Sequence, residues 1–449
     1  MNITLNLKQG LDLKVAGAAA LTDKATIRHI APRYVAVTPD DFPGLTLKPV
    51  VKAGDEVAEG SPILTDKHNP SINIVSPVAG TVTEIVRGDR RKLIRVVIET
   101  GSNKAVIDKY AVNGADTERT RQILQQSGLW AMLRQRPYNI VARDEAEPRD
   151  IFVSLFDSAP LAPDMENLLA DRAAELEAGV KALSRLTKGT VYVARRKNSV
   201  IGDLAGATMV DVTGPHPACN PGIIAANVKP VNKGETIWTL DGFTLARIGQ
   251  LFTVGTIDTE CYVAITGSEV AEPGYVKTRI GAQIGELIAD RMKVTTKHER
   301  IISGNMLTGV AVKADEYLRY PYTQITVIPE GDDVDEFMGW ASLSPKKMST
   351  SRSFPGHFLH KLFKPDARLL GGRRAMIMSG QYDKVVPMDI MTEYLIKAIL
   401  SKDIEKMEAL GIYEVAPEDF ALAEYVCTSK LPLQSIVAQG LEYLRKELE

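Results

Sequence analysis

Three cysteines and a pair of histidines are the side chains best suited to hold a metal ion or a redox centre. Cys219, Cys261 and Cys427 lie far apart in the chain, and no two of them form a C-x-x-C pair. Because iron–sulfur clusters and structural zinc sites need several closely spaced thiolates, these cysteines predict reduced, structural thiols. His357 and His360 are three residues apart, but a zinc ion needs further ligands, and none is near them in the sequence.

The glycine patterns that cradle phosphates are also missing. The sequence contains neither G-x-x-x-x-G-K nor G-x-G-x-x-G, in which glycines let the backbone approach a nucleotide. His216 lies in Gly214-Pro215-His216-Pro217, a rigid loop after a predicted strand, where a ligand contact and a purely structural role are both compatible with the sequence. No spacing of Ser, His, Asp or Cys predicts a nucleophilic arrangement. The residues therefore predict a protein without a catalytic centre of its own.

Length and composition describe an ordinary globular protein of several domains. At roughly 150 residues per domain, the 449 residues correspond to about three domains. Hydrophobic residues make up 45% and charged residues 24% of the chain, and no stretch approaches the ~18 apolar residues of a membrane helix. The alternation of Ile3, Leu5 and Leu7 with polar residues predicts a strand rather than a signal peptide, so we expect a cytoplasmic protein.

The charge is small overall but unevenly distributed. A net charge of −2 argues against nucleic acid as a partner, because phosphate neutralisation needs a basic surface. Residues 346–374 contain eight Lys or Arg and one acid, whereas the chain from residue 401 onward carries ten acids and five bases. This asymmetry predicts a docking face for a partner or a membrane, with a solvated loop as the alternative. The residues predicted to dock are Lys346, Lys347, Arg352, Lys361, Lys364, Arg373 and Arg374.

Residues 49–83 predict closely spaced strands, since short apolar runs alternate with Gly-Asp, Glu-Gly and Pro-Val-Ala-Gly turns. This pattern resembles the biotinyl/lipoyl-type barrel-sandwich hybrid. In that family a hairpin lysine carries the prosthetic group, and the hairpin here places Lys67 at the corresponding turn. The flanking residues of an attachment site are missing, so an ordinary turn lysine is the favoured interpretation.

The rest of the chain changes from α/β to helical character. Strand-like runs at 151–156, 190–194 and 208–212, with a helix predicted over 163–186, show the rhythm of an open α/β sheet. A second α/β segment begins near Cys261. From Pro387 the chain is helical, with predicted core stripes on two of its helices. One consists of Met391, Tyr394, Leu395, Ala398 and Ile399, and the other, in the last helix, of Leu433, Ile436, Val437, Gly440, Leu441 and Leu444. We therefore predict a multidomain α+β protein with a barrel-sandwich hybrid at 1–110, a Rossmann-like α/β domain at 111–257, a ubiquitin-like β-grasp of the SLBB type at 258–335 and a helical domain at 336–449.

This domain order resembles the NqrA subunits of the sodium-translocating NADH:quinone reductases, a family related to the C subunit of Rnf complexes and to the flavin-carrying NADH subunit of complex I. The resemblance covers essentially the whole chain. It is carried by Leu129-Trp130 with Arg136-Pro137, residues 152–164 (FVSLFDSAPLAPD), residues 212–217 (VTGPHP), residues 302–309 and residues 327–331. The resemblance implies a peripheral subunit on the cytoplasmic side of the bacterial inner membrane, which supports quinone reduction coupled to Na+ export.

Two departures from the flavin and iron–sulfur relatives bear on cofactors. In the flavin-bearing relatives a Ser-Gly-Leu triplet leads into a run of glycines that wraps the flavin, whereas Ser127-Gly128-Leu129 leads here into the bulky residues from Trp130 to Pro137. These side chains occupy the volume that a phosphate needs. In the segment that corresponds to the cluster domain of the Rnf relatives, this chain retains a single cysteine, Cys427. The resemblance therefore implies no cofactor in this chain, with the flavins, iron–sulfur centres and NADH site on other subunits.

The resemblance further implies a six-subunit complex, with NqrB as the main partner and a quinone site close by. An aromatic ring and a cationic donor near the changed loop would suit a quinone ring and its carbonyl oxygens, which makes Trp130, Arg136 and Tyr138 the predicted quinone-proximal residues. A core tryptophan and a solvated arginine are the alternative. Two other functions stay open, an electron-transfer subunit of the Rnf C type and an assembly scaffold without quinone contact.

Overall fold

The computed structural model describes residues 2–102, 105–294, 298–332, 344–345, 347–350, 354–359 and 361–448. Two short strands near the N-terminus, β1 (Ile3–Asn6) and β2 (Arg28–His29), leave the first domain and join the sheets of two others. β1 pairs in parallel with residues 210–213, and β2 pairs in parallel with residues 276–277. The strand predicted from Ile3, Leu5 and Leu7 therefore exists, but it extends a sheet formed by residues 200 positions away. The predicted domain limits at 110, 257 and 335 stay predictions.

The first domain is a small sandwich of antiparallel strands. Its strands are β3 (Tyr34–Val37), β4 (Leu47–Pro49), β5 (Glu56–Val57), β6 (Pro62–Asp66), β7 (Asn73–Val75), β8 (Gly80–Arg87) and β9 (Leu93–Thr100). They form two sheets, in the orders β3-β9-β8-β5 and β4-β6-β7. Alternate residues such as Val35, Val82 and Ile98 point inward and are fully buried. The exposed Lys67 follows Asp66, whose buried carboxylate accepts the backbone N–H groups of Thr46 and Asn69 and so shapes the hairpin.

The second domain is an open α/β sheet with helices on its faces. Its elements are α1 (Thr117–Gln126), β10 (Arg134–Arg136), β11 (Ile140–Val141), β12 (Asp150–Ser154), α2 (Met165–Leu169), α3 (Ala173–Leu183), β13 (Val191–Arg196), β14 (Thr208–Thr213), α4 (Pro221–Val228), β15 (Ile237–Asp241) and α5 (Gly242–Val254). The strand order is β1-β14-β13-β12-β15-β10-β11, parallel up to β15 and antiparallel beyond it. The predicted strand–helix–strand rhythm is confirmed.

The single helix predicted over 163–186 is wrong in one respect, because the chain turns between α2 and α3. Arg172 has a non-helical backbone, and its guanidinium is drawn to Asp258 (3.0 Å) and Gln250 (2.8 Å). After this turn α3 lies against α5 with backbones almost in contact. A Cβ atom added at Gly249 would stand 1.6 Å from the carbonyl oxygen of Glu175, so only glycine fits there.

The third domain is a mixed sheet with one short helix. Its elements are β16 (Glu260–Thr266), β17 (Gly274–Arg279), α6 (Ile284–Ile288), β18 (Glu299–Ser303), β19 (Val310–Val312) and β20 (Gln324–Pro329). The order is β19-β18-β20-β16-β17-β2, in which β16 and β20 are parallel and β16 and β17 antiparallel. α6 covers one face of this sheet through Ile284 and Leu287, which are fully buried. The prediction of a multidomain α+β protein is confirmed.

The C-terminal domain is helical, with α7 (Thr392–Ser401), α8 (Ile404–Ala409), α9 (Ala421–Val426) and α10 (Leu433–Leu448). The predicted apolar stripe of α10 is confirmed, since Leu433, Val437, Leu441 and Leu444 are buried together with their neighbours on that face. No helix within the described ranges is both long and apolar enough to cross a bilayer.

The predicted core stripe of α7 is partly wrong. Leu395, Ala398 and Ile399 are buried as expected, but Met391 is 60% and Tyr394 55% exposed. The buried face continues instead through Ile396, because the helix packs on α8 and α10 with the side that carries positions 395, 396, 398 and 399. Met391 and Tyr394 therefore lie on the surface of the helical domain, although their spacing matches that of the buried residues.

We expect two leucines of α7 to differ sharply in their contribution to stability. Leu395→Ala removes a fully buried side chain and should lower the free energy of unfolding by about 2–5 kcal/mol. Leu400→Ala, the same change at a position that is 55% exposed, should stay within about 0.5 kcal/mol of the parent. Urea titration of both variants measures the difference. Equal effects would show that the helical domain packs on another face of α7.

Candidate functional site

The loop that resembles the flavin loop runs between the first domain and the α/β sheet. α1 begins after Asp116, whose carboxylate caps the helix by accepting the Arg119 N–H at 2.8 Å. After α1, Gly128 adopts a left-handed backbone with φ of 79° and leads into a 3-10 turn, Leu129–Met132. A Cβ atom at Gly128 would lie 3.2 Å from Val75 of the sandwich domain. The loop is therefore held closely against the first domain, and glycine provides both the turn and the fit.

Trp130 fills the centre of this loop. Its side chain is fully buried, and its indole N–H donates a hydrogen bond of 2.8 Å to the carbonyl oxygen of Ala142. The ring meets Trp238 of β15 edge to face, with centroids 5.1 Å apart, and the Arg121 guanidinium lies 5.2 Å above it. Such aromatic and cation–π pairs each stabilise by about 0.5–1.5 kcal/mol. The volume that glycines leave open in a flavin loop is thus occupied here by a packed indole.

Arg136, at the end of β10, is the most deeply buried cation of the described residues that form ion pairs. Its side chain is 1% exposed. One terminal nitrogen, Nη1, donates to Asp419 Oδ2 at 2.6 Å and to the carbonyl oxygen of Glu414 at 2.9 Å. The other, Nη2, donates to Glu418 Oε1 at 2.8 Å. Arg136 therefore ties the α/β sheet to the turn that precedes α9 in the helical domain.

Asp419 completes this cluster from the other side. Its buried carboxylate also accepts the Ala416 N–H at 2.9 Å and the Asn220 side-chain amide at 3.1 Å. Burial alone would lower the pKa of Arg136, but the carboxylates of Asp419 and Glu418 outweigh it and raise that pKa, so the guanidinium stays charged. We call Arg136, Asn220, Glu418 and Asp419 the joint cluster.

The start of α4 packs directly on the guanidinium of the joint cluster. A Cβ atom built at Gly222 would stand 2.0 Å from Arg136 Nη1 and 2.3 Å from its Cζ. Tyr138, two residues after Arg136, is half-buried and packs against the apolar core of the helical domain. The three predicted quinone-proximal residues thus divide into two groups. Trp130 faces the core shared by the first two domains, whereas Arg136 and Tyr138 face the helical domain.

A cleft beside the loop was not foreseen from the sequence. It has about 600 Å³ of empty space, open solvent included, and its walls come from the first three domains. Phe42 and Tyr320 stack there with centroids 5.7 Å apart, and Gly128 and Met132 form the wall on the loop side. Burial raises the pKa of Tyr320 to about 12, so its hydroxyl keeps its proton. The cleft depends on residues 280 positions apart, which no local pattern brings together.

Comparison with known proteins decides the family. Models described as the NqrA N-terminal barrel-sandwich hybrid domain, the NqrA second alpha/beta domain and the NQRA C-terminal domain match residues 5–101, 115–257 and 262–314. The A subunit of the Na(+)-translocating NADH-quinone reductase of Pasteurella multocida is 34% identical over 452 residues, covering 99% of this chain and 100% of that protein. The chain belongs to the NqrA family.

Other relatives agree. The NqrA protein of Rhodopirellula baltica is 35% identical over 453 residues, or 98% of each chain, and that of Neisseria meningitidis serogroup B is 34% identical over 451 residues, or 99% and 100%. A solved NAD+-reducing [NiFe]-hydrogenase in the H2-reduced state covers 48% of this chain and 47% of its own at 10% identity and a TM-score of 0.34, too distant to indicate a shared fold. The NqrA resemblance expected from the sequence is confirmed.

In this NqrA family member the cysteines are buried and separate. Burial raises the pKa of the Cys261 thiol to about 12 and that of Cys219 well above its usual range. Within the described part of the chain no group of three His, Cys, Asp or Glu side chains could hold a metal ion. His360 lies outside the described residues, so the predicted pair of His357 and His360 is left undescribed.

His216 has a partner that the sequence did not indicate. Its Nδ1 lies 3.1 Å from the Ser158 hydroxyl, which also accepts the Cys219 N–H at 3.2 Å. These residues follow β12 and β14, at the carboxyl edge of the parallel sheet. Burial lowers the pKa of His216 in spite of nearby carboxylates, which keeps the imidazole neutral. The hydrogen bond between His216 and Ser158 joins two loops, which gives the histidine a structural role.

The predicted docking residues differ in their surroundings. Lys346 and Arg352 lie outside the described residues. Lys347 is buried, with its ammonium 5.4 Å from the centroid of the Phe354 ring, so it faces the protein rather than a partner. The remaining members of the set, Lys361, Lys364, Arg373 and Arg374, are exposed.

We expect Gly222→Ala to disturb the joint cluster. The new methyl group would overlap the Arg136 guanidinium, which its bonds to two carboxylates prevent from moving, so the free energy of unfolding should fall by about 1–3 kcal/mol. Gly202→Ala, at an exposed glycine with nothing within 4 Å of a Cβ atom, should change it by less than about 0.5 kcal/mol. Urea titration compares the two. A Gly222→Ala variant as stable as the parent would mean that the guanidinium does not occupy this position.

Proposed function

We propose that this chain is the peripheral, cofactor-free NqrA component of a sodium-pumping NADH:quinone oxidoreductase, in which it supports quinone reduction coupled to Na+ export. The observation that carries this proposal is the identity of 34–35% to NqrA proteins, over 98–99% of this chain and 98–100% of theirs. Similarity along the full length favours the same place in the same kind of assembly. The catalytic centres of the reaction are then supplied by the other subunits.

The proposed partners are the other subunits of the complex, above all NqrB, on the cytoplasmic side of the bacterial inner membrane. The exposed cations Lys361, Lys364, Arg373 and Arg374 support a docking role for residues 361–374. Near an anionic membrane each such cation is worth about 1 kcal/mol. A complex with a membrane subunit would bring Lys361 and Lys364 close to the headgroups.

The absence of a bound cofactor is proposed on chemical grounds. Trp130 is packed where a flavin phosphate would need open backbone, and the buried thiols of Cys219 and Cys261 have raised pKa values that disfavour the thiolate required for cluster ligation. The rival function, electron transfer of the Rnf C type, needs clusters held by several thiolates. Visible flavin or iron–sulfur absorption in the purified chain would favour that rival.

For the quinone, we propose that the cleft beside the loop is the part of this chain that comes closest to it. Its lining is mostly apolar, with a smaller polar set that suits a ring with two carbonyl oxygens. The polar lining residues are Thr38, Asp41, Ser127, Asp258, Thr259 and Tyr320. Trp130 belongs to the same turn as Leu129 and Met132, which line the cleft. A quinone contact of Arg136 and Tyr138, which face the helical domain, stays a prediction. The second candidate function is an assembly scaffold that meets no quinone.

Deletion of the gene in its own host should abolish NADH-driven, Na+-dependent quinone reduction in membrane vesicles, and reintroduction of the gene should restore it. The reason is that a chain matched along its whole length to NqrA proteins is needed for the assembled reductase. Na+ uptake by inverted vesicles fed with NADH is the measurement, and succinate-driven respiration is the control. Undiminished uptake in the deletion strain would contradict the proposed function.

A photoreactive quinone applied to the intact complex should label this chain next to the cleft. Met132→Trp adds bulk to the cleft wall, so labelling should fall at least about fivefold, while Leu448→Trp at the exposed end of α10 should leave it unchanged. Peptide mapping by mass spectrometry locates the label. If this chain remains unlabelled in an active complex, the scaffold function is favoured.

A further inference from the structure

A pair of stretches in the helical domain, residues 369–378 and the start of α7, carries exposed apolar and basic side chains. We call it the outer patch, and it consists of Leu369, Arg373, Arg374, Ile377 and Met378 together with Met391 and Tyr394 of α7. The apolar members are 44–60% exposed. Exposed apolar groups that lie together mark interaction surfaces, whereas single ones need no explanation.

Hydrogen bonds hold the two parts of the outer patch side by side. The Glu393 carboxylate accepts the backbone N–H groups of Ser379 and Gly380, each at 2.9 Å. Ile377 and Met378 immediately precede this anchor, and Met391 and Tyr394 flank Glu393 on α7. The end of the segment 369–378 is therefore fixed against the first turn of α7.

The backbone of residues 369–378 is unpaired over most of its length. Within the described residues, Arg374 is the one member whose N–H donates a protein hydrogen bond, to the Ser429 carbonyl at 3.0 Å. The Ala375 carbonyl accepts from the Ser429 hydroxyl at 2.9 Å. The segment has neither helical nor strand structure. It therefore presents free backbone donors and acceptors next to its apolar side chains.

The charge of the outer patch is positive. Arg373 and Arg374 are exposed, and neither forms an ion pair with any residue that the structure describes. Uncompensated cations beside apolar groups favour an occupant that is both apolar and acidic. The unpaired backbone groups of residues 369–378 indicate which kind of molecule this occupant is.

A lipid bilayer would cover the apolar side chains but would leave the backbone groups of 369–378 without partners. Burying an unpaired amide in hydrocarbon costs several kcal/mol for each group. An extended polypeptide satisfies both requirements, because its main chain bonds to the free N–H and C=O groups while its side chains cover the apolar ones. The backbone thus distinguishes a protein strand from a membrane.

We propose that an extended, acidic and apolar segment of another subunit of the complex binds along residues 369–378 and covers Met391 and Tyr394. The proposal rests on the proposed function, since it takes its partner from the reductase. It assigns to Arg373 and Arg374 the role of pairing with carboxylates on that segment. Ile377 and Met378 anchor its apolar side chains.

Crosslinking in the intact complex identifies the occupant. The photoreactive amino acid p-benzoylphenylalanine at Ile377 should crosslink to an acidic segment of another subunit, whereas the same group at Val200, which is 59% exposed and belongs to the α/β domain, should not give that product. Mass spectrometry of the crosslinked peptide names the partner. Crosslinks to lipid, to a second copy of this chain or to the chain itself would overturn the proposal, as would the absence of a crosslink in an assembled complex.

A charge reversal tests the role of the arginines. Arg373→Glu with Arg374→Glu should lower retention of this chain on the complex at least about tenfold in a salt wash and remove the Ile377 crosslink. The matched control reverses Arg90 and Arg91, another exposed arginine pair, on the β8–β9 turn, and should behave as the parent. Equal retention of both variants would contradict the proposal. If the parent chain does not copurify with the reductase at all, the proposed function has failed instead.

Discussion

A buried ion cluster is a main attachment of the helical domain to the α/β sheet. Arg136 ends β10, the antiparallel strand next to the edge strand β11 of the α/β sheet, and its guanidinium is enclosed by Asp419, Glu418 and the Glu414 carbonyl. A charge taken out of water is costly, so each partner must remain in place for the others to be tolerated. The first turn of α4 has glycine at position 222 because no side chain fits between the helix and the guanidinium.

The loop before Arg136 leads the chain into this cluster. Between Gly128 and Arg136 the chain must pass from the sandwich domain to the edge of the sheet, and it fills that path with Leu129, Trp130 and Leu133, all fully buried. The result is a packed wall at the position that resembles a flavin loop. The cleft with Phe42 and Tyr320 lies on one side of this wall, and the helical domain lies beyond Arg136.

Local patterns predicted the elements well and their partners poorly. The hairpins of the sandwich, the βα rhythm and the α10 stripe follow from turn residues and apolar spacing, which act over a few residues. The pairing of β1 with residues 210–213 joins positions 207 apart, and that of Arg136 with Asp419 joins positions 283 apart. Spacing carries no information on such contacts. For Arg136 the sequence offered a solvated arginine or a quinone donor, and its three protein acceptors lay beyond local reasoning. The helical spacing of Met391 and Tyr394 predicts core positions, but both side chains are exposed. Spacing alone does not indicate which face of a helix packs against its neighbours.

Three domains thus pack around the loop and its cleft, and the joint cluster helps to attach the helical domain to them. A double-mutant cycle on Arg136→Met and Asp419→Asn, followed by urea unfolding, measures the coupling between the two residues directly. We predict that the double variant loses clearly less stability than the sum of the single variants, with a coupling energy of at least about 2 kcal/mol. Additive losses, with a coupling below about 0.5 kcal/mol, would contradict the claim that this pair holds the helical domain in place.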